Sequence, residues 1–216
     1  MIRRRVAILI SGRGSNMRAL IEAARAADYP AEIVLVISNL PDAAGLDYAR
    51  TAGVATAVVD HRGFADRRSF EAAIDAQLRA ARTDLICLAG FMRLLTPEFV
   101  VAWRDRILNV HPSLLPAFRG LDTHARALAA GVRFSGCTVH FVRAEMDDGP
   151  IVAQAAVPVR SDDDAERLAL RVLAAEHTAY PQALALVASG RARVEGERVV
   201  VTGAVAPESI LLNPVT

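Results

Sequence analysis

The chain has 216 residues, of which 53% are hydrophobic and 23% are charged, the composition of an ordinary globular protein. Its 25 basic and 24 acidic side chains give a net charge of +1, so no overall field favours nucleic acid or an anionic membrane. All 25 basic residues are arginine, which excludes a Schiff-base lysine and a P-loop lysine.

The sequence carries no sign of an oxidising or membrane environment. Its two cysteines, Cys87 and Cys137, match neither a CxxC motif nor the spacing of a zinc site. The apolar run at residues 6–10 is too short for the core of a signal peptide, and no run approaches the roughly 20 residues of a membrane span. We therefore expect a reduced, cytoplasmic protein without a metal site.

The first half of the chain alternates strand-like and helix-like patterns. Strands are predicted at residues 6–10, 33–37, 56–59, 85–88 and 107–110. Helices are predicted at residues 16–27, 42–52 and 66–81. This alternation indicates a mostly parallel, Rossmann-like sheet with helices on both faces. Ligands bind beyond the carboxyl ends of such strands, so residues 11–16, 89–95 and 111 onward should face one crevice.

The second half has a different pattern. Residues 137–142 and 151–159 are predicted to be strands joined by a short loop, with an antiparallel pairing favoured. Residues 163–187 predict one long helix, interrupted near Pro181, and residues 193–201 predict a terminal hairpin. Because we find neither repeats nor a linker, we interpret residues 1–216 as a single α/β domain with an antiparallel C-terminal part.

The loop after the first strand contains two glycines, Gly12 and Gly14. Free backbone N–H groups at a helix N-terminus suit a phosphate, and glycine lets the backbone approach it closely. A dinucleotide fingerprint requires a third glycine where Met17 stands and an acidic residue where the second strand ends, at Ser38. The loop therefore favours a monophosphate over NAD, and a capped turn that binds no ligand is the alternative.

Two later segments contain candidate catalytic groups. Asn109 and His111 stand two residues apart at the end of the fifth strand, where alternation puts both side chains on one face and permits an oxyanion site. Asp147 and Asp148 precede a Gly-Pro pair, which is typical of a simple turn. The alternative is a carboxylate that orients His111 and favours its charged form. A purely structural His111 also stays open.

Four ordered segments give the sequence a specific resemblance. They are Ile-Ser-Gly-Arg-Gly-Ser-Asn at 10–16, Leu-Ala-Gly-Phe-Met-Arg-Leu-Leu at 88–95, Asn-Val-His-Pro-Ser-Leu-Leu-Pro at 109–116, and Val-His-Phe at 139–141 followed by Asp-Asp-Gly-Pro at 147–150. In this order and spacing the chain resembles the bacterial glycinamide ribonucleotide transformylases. The resemblance implies a single-domain, three-layer formyltransferase fold. Residues 1–110 would form its phosphate-binding half and residues 111–216 its catalytic and folate-binding half.

The resemblance also implies a reaction. Members of this family transfer the formyl group of the cosubstrate 10-formyltetrahydrofolate to the amino group of glycinamide ribonucleotide. The products are N-formylglycinamide ribonucleotide and tetrahydrofolate, in de novo purine (IMP) biosynthesis. The implied partners are these small molecules, without metal, nucleic acid or membrane, and the implied assembly is a monomer or a homodimer.

Matched positions imply a role for individual residues. The catalytic trio would be Asn109, His111 and Asp147. The nucleotide substrate would be held by Gly14, Ser15, Asn16 and Glu176. The folate would be bound by Arg67, Met92, Arg93, Leu94, Leu95, Asn109, Arg143, Ala144 and Glu145, with Phe99 and Val142 as apolar walls.

Some positions depart from the family pattern or leave it open. Asp148 stands where glycine is common, and the spacing from the Gly-Pro pair favours Asp147 as the functional carboxylate. Asp122 replaces a histidine of some relatives, and we interpret Thr138 and His140 as supporting residues.

Four other kinds of protein are rival readings of the sequence. Methionyl-tRNA formyltransferases and formyltetrahydrofolate hydrolases carry an additional domain, which we do not expect here. An NAD-dependent dehydrogenase and a non-enzymatic nucleotide-binding module are the rivals from other classes.

Overall fold

A seven-stranded sheet forms the centre of the computed structural model, which describes residues 2–203, 205, 208–209 and 211–214. The strand order is β3-β2-β1-β4-β5-β6-β7. The strands are β1 (Arg4–Ile10), β2 (Ala31–Ser38), β3 (Thr56–Val58), β4 (Leu85–Leu88), β5 (Ile107–His111), β6 (Phe134–Phe141) and β7 (Ile151–Pro158). The first five pair in parallel, and β6 and β7 continue the sheet antiparallel.

Six α-helices, a short 3-10 helix at His61–Gly63 and a small hairpin complete the described part of the chain. The helices are α1 (Ser15–Ala24), α2 (Gly45–Thr51), α3 (Arg67–Ala80), α4 (Pro97–Ala102), α5 (Thr123–Ala129) and α6 (Ala165–Ala188). The hairpin consists of β8 (Ala192–Glu195) and β9 (Arg198–Val201). Side chains of Asp66, Thr96 and Asp164 accept hydrogen bonds from the first turns of α3, α4 and α6, which fixes where these helices begin.

The continuous apolar run of β1 divides between two cores. Ile8 and Ile10 pack into one cluster with residues of α1 and α6, whereas Leu9 packs into the other with residues of α3. Side chains alternate along a strand, so a strand covered on both faces is apolar at every position. The α/β class, the parallel sheet with helices on both faces and the antiparallel C-terminal part are thereby confirmed.

The predicted interruption of the long helix is wrong. α6 runs through Pro181, although proline lacks the N–H that a helix interior uses. Tertiary contacts hold the helix on both sides of this residue. The hydroxyl of Tyr29 donates to the Pro181 carbonyl over 2.7 Å, and the buried Tyr180 hydroxyl lies 3.1 Å from Leu88 O and 3.0 Å from Leu108 O.

Short elements were missed, and several boundaries differ by a few residues. α4 and α5 have six and seven residues, which is too short for an apolar period to stand out from the sequence. The antiparallel β6–β7 pairing and the β8–β9 hairpin are confirmed. The division into halves at residue 110 stays a prediction. Among the described residues, no helix combines the length and hydropathy that crossing a membrane requires.

Candidate active site

The loops that follow β1 and β4 meet at the point where the strand order reverses. β1 pairs with β2 on one side and with β4 on the other, so the connections leave it in opposite directions and open a crevice. The Ser11 N–H donates to the Gly90 carbonyl over 3.1 Å, and the Met92 N–H donates to Ser11 Oγ over 2.8 Å. The structure therefore brings together two of the three loops expected at the crevice.

Gly14 lies at the start of α1 with a left-handed backbone, φ 68°. A Cβ at this position would lie 3.0 Å from Met17 Cε and 3.3 Å from Gly45 Cα. Glycine is thus required by conformation and by space, and the backbone N–H groups of the first turn of α1, at Ser15 and Asn16, stay uncovered by a side-chain cap.

Asn16 and Glu176 form a buried polar pair between α1 and α6. Asn16 Nδ2 donates to Glu176 Oε2 over 2.6 Å, although 160 residues separate the two. Burial raises the pKa of the Glu176 carboxyl, and the hydrogen bond from Asn16 partly offsets this. Within the described part of the chain, Asn16 Oδ1 is buried and has no hydrogen-bond partner. A buried acceptor of this kind suits a donor from a bound ligand.

Asn109 is oriented by His140, its direct neighbour across the β5–β6 ladder. His140 Nδ1 lies 3.0 Å from the Phe141 carbonyl, which can only accept, so Nδ1 carries the proton. Its Nε2 then accepts from Asn109 Nδ2 over 3.3 Å. Burial lowers the pKa of His140 and favours this neutral ring. The amide nitrogen of Asn109 is therefore fixed toward His140.

His111 is buried and has an oxygen acceptor at each ring nitrogen. Nε2 lies 3.0 Å from the Phe118 carbonyl, and Nδ1 lies 3.3 Å from Asp147 Oδ2. The Gly120 N–H donates to the same carboxylate oxygen over 2.9 Å. Thr138 Oγ1 donates to the Ser113 carbonyl and accepts from Leu115 N–H, which holds the segment that leaves His111. A protonated ring satisfies both acceptors.

The two neighbouring aspartates face different partners. Asp147 is close to His111, with its Oδ1 3.9 Å from His140 Nε2, whereas Asp148 pairs with Arg119 at the surface. Among the described residues, five non-glycine residues have positive φ angles, which such residues adopt rarely. Phe118 (54°), Asp122 (55°) and Asp147 (54°) lie in or next to the segments that contact His111, whereas Arg82 and Asp105 lie elsewhere. Such strain tends to cluster at functional sites.

The residues that the resemblance assigns to the folate differ in their surroundings. Arg67 and Arg93 line a cavity of about 180 Å³, together with His61, Phe64, Ala65, Asp66 and Phe70. Met92 and Leu94 are 71% and 60% exposed, unusual for large apolar side chains. Leu95 and Val142 pack against the core cluster that contains the buried Phe99. Ala144 and Glu145 are exposed, whereas the Arg143 side chain is buried.

Backbone groups at this site escaped the sequence reasoning. The Phe118 carbonyl and the Gly120 N–H hold His111 and Asp147, and a backbone contact leaves no residue type to recognise. Ser11, whose hydroxyl joins two loops and donates to Asn39 Oδ1, was read only as part of the glycine loop. Across the described residues, no group of three or more His, Cys, Asp or Glu side chains is arranged to hold a metal ion.

Comparison with known proteins identifies the family of this chain. Residues 4–184 match the formyl transferase family. The chain belongs to the formyl transferase family. This formyl transferase superposes on the crystal structure of glycinamide ribonucleotide transformylase 1 from Symbiobacterium toebii with a TM-score of 0.90 and 47% identity, covering 93% of this chain and 94% of that chain.

Curated relatives are of two lengths. This formyl transferase is 40% identical to the phosphoribosylglycinamide formyltransferase of Haemophilus influenzae, over 97% of this chain and 99% of that protein. It is 51% identical to the trifunctional purine biosynthetic protein adenosine-3 of Drosophila melanogaster. That match covers 90% of this chain but spans only 15% of the length of the Drosophila protein.

Proposed function

We propose that this chain transfers the formyl group of 10-formyltetrahydrofolate to the amino group of glycinamide ribonucleotide, a step of de novo purine biosynthesis. The observation that carries the proposal is the convergence of Asn109, His111 and Asp147 beside a glycine loop at the carboxyl end of a parallel sheet. The near full-length similarity to a phosphoribosylglycinamide formyltransferase supports the same reaction.

The nucleotide end of the substrate binds at the start of α1. Gly14 allows close approach of a phosphate, and the uncapped N–H groups of Ser15 and Asn16 donate to it at the positive end of the helix dipole. The Asn16–Glu176 pair supplies an acceptor and a carboxyl group for polar groups further along the substrate.

The chemical step is attack of the neutral substrate amine on the formyl carbon, which creates an oxyanion. The second N–H of the Asn109 amide and the charged ring of His111 stabilise that oxygen. His111 Nε2 lies 3.0 Å from the Phe118 carbonyl, so the ring and this carbonyl must separate before the Nε2–H group can donate to the oxyanion. Asp147 favours the charged ring and, directly or through water, helps to move the amine proton to the folate nitrogen. The tetrahedral intermediate then collapses, the bond between the formyl carbon and that nitrogen breaks, and tetrahydrofolate leaves while the formyl group stays on the substrate amine.

The folate cosubstrate occupies the other end of the crevice. The flat pterin packs against Leu94 and Leu95. Its polar edge forms hydrogen bonds with the backbone of residues 92–95 and with the loop that contains Ala144 and Glu145. Arg67 and Arg93 suit the carboxylate end of the molecule. Holding both reactants in one crevice makes the transfer effectively intramolecular.

The proposal extends to the partners of the protein, its cellular location and its oligomeric state. Its partners are these two small molecules, with neither nucleic acid nor metal taking part, and it acts in the cytoplasm as a monomer or a homodimer. The absence of lysine agrees with this chemistry, because no step uses a Schiff base.

A direct assay tests the proposal. Purified protein is mixed with 10-formyltetrahydrofolate and glycinamide ribonucleotide, and formylated nucleotide and tetrahydrofolate are measured. We expect the two products in equal amounts and no consumption of folate when the nucleotide is left out. Release of formate without the nucleotide, or oxidation of added NADH, would refute the proposed transfer and support hydrolysis or a dehydrogenase instead.

A further inference from the structure

The guanidinium of Arg143 is held between two carboxylates, those of Asp105 and Glu197. Arg143 begins the loop of residues 143–149, called here the Asp147 loop. Only 7% of the side chain is exposed, with Nη2 2.8 Å from Asp105 Oδ1 and Nε 2.9 Å from Glu197 Oε2. The second oxygen of Glu197 lies 2.6 Å from Arg104 Nη2. A buried guanidinium is costly unless it is paired and hydrogen-bonded, and here each contact is a charge-assisted hydrogen bond.

These contacts join three segments that are distant in sequence. Arg143 lies directly after β6, at the first end of the loop that carries Asp147, and Gly149 lies at the other end. A Cβ on Gly149 would meet the Phe141 carbonyl at 1.7 Å and Arg143 Cγ at 3.3 Å, so the two ends of the loop are packed together. Asp105 lies in the connection between α4 and β5, and Glu197 lies in the turn of the β8–β9 hairpin.

We propose that Arg143 is a positioning residue, which with Asp105 and Glu197 anchors the Asp147 loop to the α4–β5 connection and to the C-terminal hairpin. The loop needs an external hold, because residues 144–146 are exposed and Asp147 adopts a left-handed φ of 54°. A strained conformation persists only where surrounding structure determines it. The catalytic consequence rests on the proposed function, whereas the anchoring itself does not.

The proposed anchor gives Arg143 a role that differs from the one implied by the sequence resemblance. The sequence resemblance makes it a folate-binding residue, but its guanidinium contacts Asp105 and Glu197. The hydrogen bond from Arg143 lowers the pKa of the Glu197 carboxyl, so this carboxylate is ionised at neutral pH and the anchor is intact there. Because the pKa is lowered, the anchor is lost only as the pH falls through that value.

Two substitutions on the same hairpin test the anchor. Glu197→Gln removes the charge that Arg143 contacts, and Glu195→Gln is the matched control, since Glu195 forms an exposed pair with Arg193 at 3.5 Å. We expect hydrogen exchange of amides 144–148 to be at least about threefold faster in Glu197→Gln and unchanged in Glu195→Gln. We also expect kcat to fall about threefold or more in Glu197→Gln, with the KM for the nucleotide nearly unchanged.

Arg143→Lys provides a second, independent variant. It keeps the charge and much of the side-chain stem but loses the planar fork that reaches both carboxylates. Its loop exchange should lie between those of the parent and Glu197→Gln. Equal loop exchange in Glu197→Gln and Glu195→Gln, or parent-like exchange in Arg143→Lys, would overturn the anchor. If the parent itself transferred no formyl group, the proposed function would fail while the exchange comparison still decided the anchor.

Discussion

His111 has an oxygen acceptor at each ring nitrogen, and this sets the demands on its neighbours. A protonated ring donates to both the Phe118 carbonyl and Asp147, whereas a neutral ring leaves one acceptor without a donor. Asn109 has the opposite requirement. Its orientation depends on a neutral His140, whose Nε2 must stay free to accept. Two histidines near one carboxylate thus have different hydrogen-bond partners: His111 has an acceptor at each ring nitrogen, whereas His140 has one acceptor and one donor.

Removing a member of the proposed catalytic trio, Asn109, His111 or Asp147, should reduce kcat more than it weakens substrate binding. Loss of one preorganised oxyanion donor typically costs about 10² to 10³ in kcat, or roughly 2.7–4 kcal/mol. We expect at least this from Asn109→Ala and from His111→Ala in steady-state kinetics. Asp147→Asn should also be severe, because it removes the negative charge beside His111.

Asp148→Asn is the control for Asp147→Asn, since it makes the same change one residue away. Asp148 pairs with Arg119 at the surface, so we expect less than about a tenfold loss, under roughly 1.4 kcal/mol. A greater loss of kcat in Asp148→Asn than in Asp147→Asn would mean that Asp148, and not Asp147, is the functional carboxylate.

Glu176 should make the stability of the ligand-free protein depend on pH. Burial raises its folded-state pKa above the ordinary 4.5. The stability it contributes is therefore fully present below the unfolded pKa and is lost as the pH rises through the higher folded value. Glu176→Gln cannot ionise, so its free energy of unfolding relative to the parent should improve between pH 4.5 and pH 7 in urea titrations, while nucleotide binding weakens.

The exposed Glu166, in the first turn of the same helix, is the matched control for this substitution. Glu166→Gln makes the same chemical change at an exposed position, so it should not show the gain in stability with rising pH that we expect of Glu176→Gln. A parallel pH dependence in Glu176→Gln and the parent would contradict a raised pKa for the buried carboxyl.

At the scale of elements, the start of α1 and the ends of β4 and β5 form the site, while α6 braces it from behind. Asn16 contacts Glu176 and Tyr180 contacts the carbonyls of Leu88 and Leu108, so α6 contacts both the start of α1 and two strand ends. This explains why α6 is continuous through Pro181. Packing on β4, β5 and Tyr29 outweighs the roughly 3 kcal/mol that an interior proline costs.

Gly14→Val should damage the nucleotide end of the site selectively. A β-branched residue at φ 68° is strained, and its Cβ would press on Met17 and Gly45 where the backbone must meet a phosphate. We expect the KM for glycinamide ribonucleotide to rise far more than the KM for folate. Equal rises in both would show that this loop does not bind the nucleotide.

Gly53→Val separates backbone strain from the effect on the site. Gly53 also has a positive φ, 78°, and a Cβ there meets nothing within 4 Å. Its position after α2 is outside the candidate site, so this variant should lose stability without a change in either KM. The melting temperatures of Gly14→Val and Gly53→Val show how much stability each variant loses through backbone strain.

At the scale of the whole molecule, the proposed function requires a single crevice to bind two ligands of different chemistry. The end proposed for the nucleotide has backbone N–H groups and buried polar side chains, and the end proposed for the folate has exposed apolar side chains and two arginines. The reversal of strand order beside β1 opens this crevice, and the antiparallel strands β6 and β7 are joined by the loop that carries Asp147.

Ligand protection in hydrogen exchange tests this division of the crevice. We expect 10-formylfolate analogues to protect the backbone of residues 92–95, where Met92 and Leu94 are exposed in the ligand-free protein. NADH should give no protection there. Protection by NADH at these amides would favour the dehydrogenase that Met17 and Ser38 argue against.

The sequence by itself determined the α/β class, the buried strands and the position of the glycine loop, because hydrophobic period and glycine placement act locally. A short apolar run that ends at Ser-Gly, such as residues 6–10, is typical of a strand covered on both faces, and it forms β1. The spacing of Asn109 and His111 likewise follows from alternation along one strand. The ordered motifs then gave a family, which the comparison confirms.

Only the tertiary structure decided how those residues are held. Which carboxylate faces His111, which way the Asn109 amide is turned and what Arg143 contacts all depend on residues 30 or more positions apart in sequence. The unbroken α6 is likewise the result of packing on both sides of a proline. Local patterns specify each element, but side-chain partners are chosen by distance in space, and that distance exists only once the sheet, the loops and the terminal hairpin are packed together.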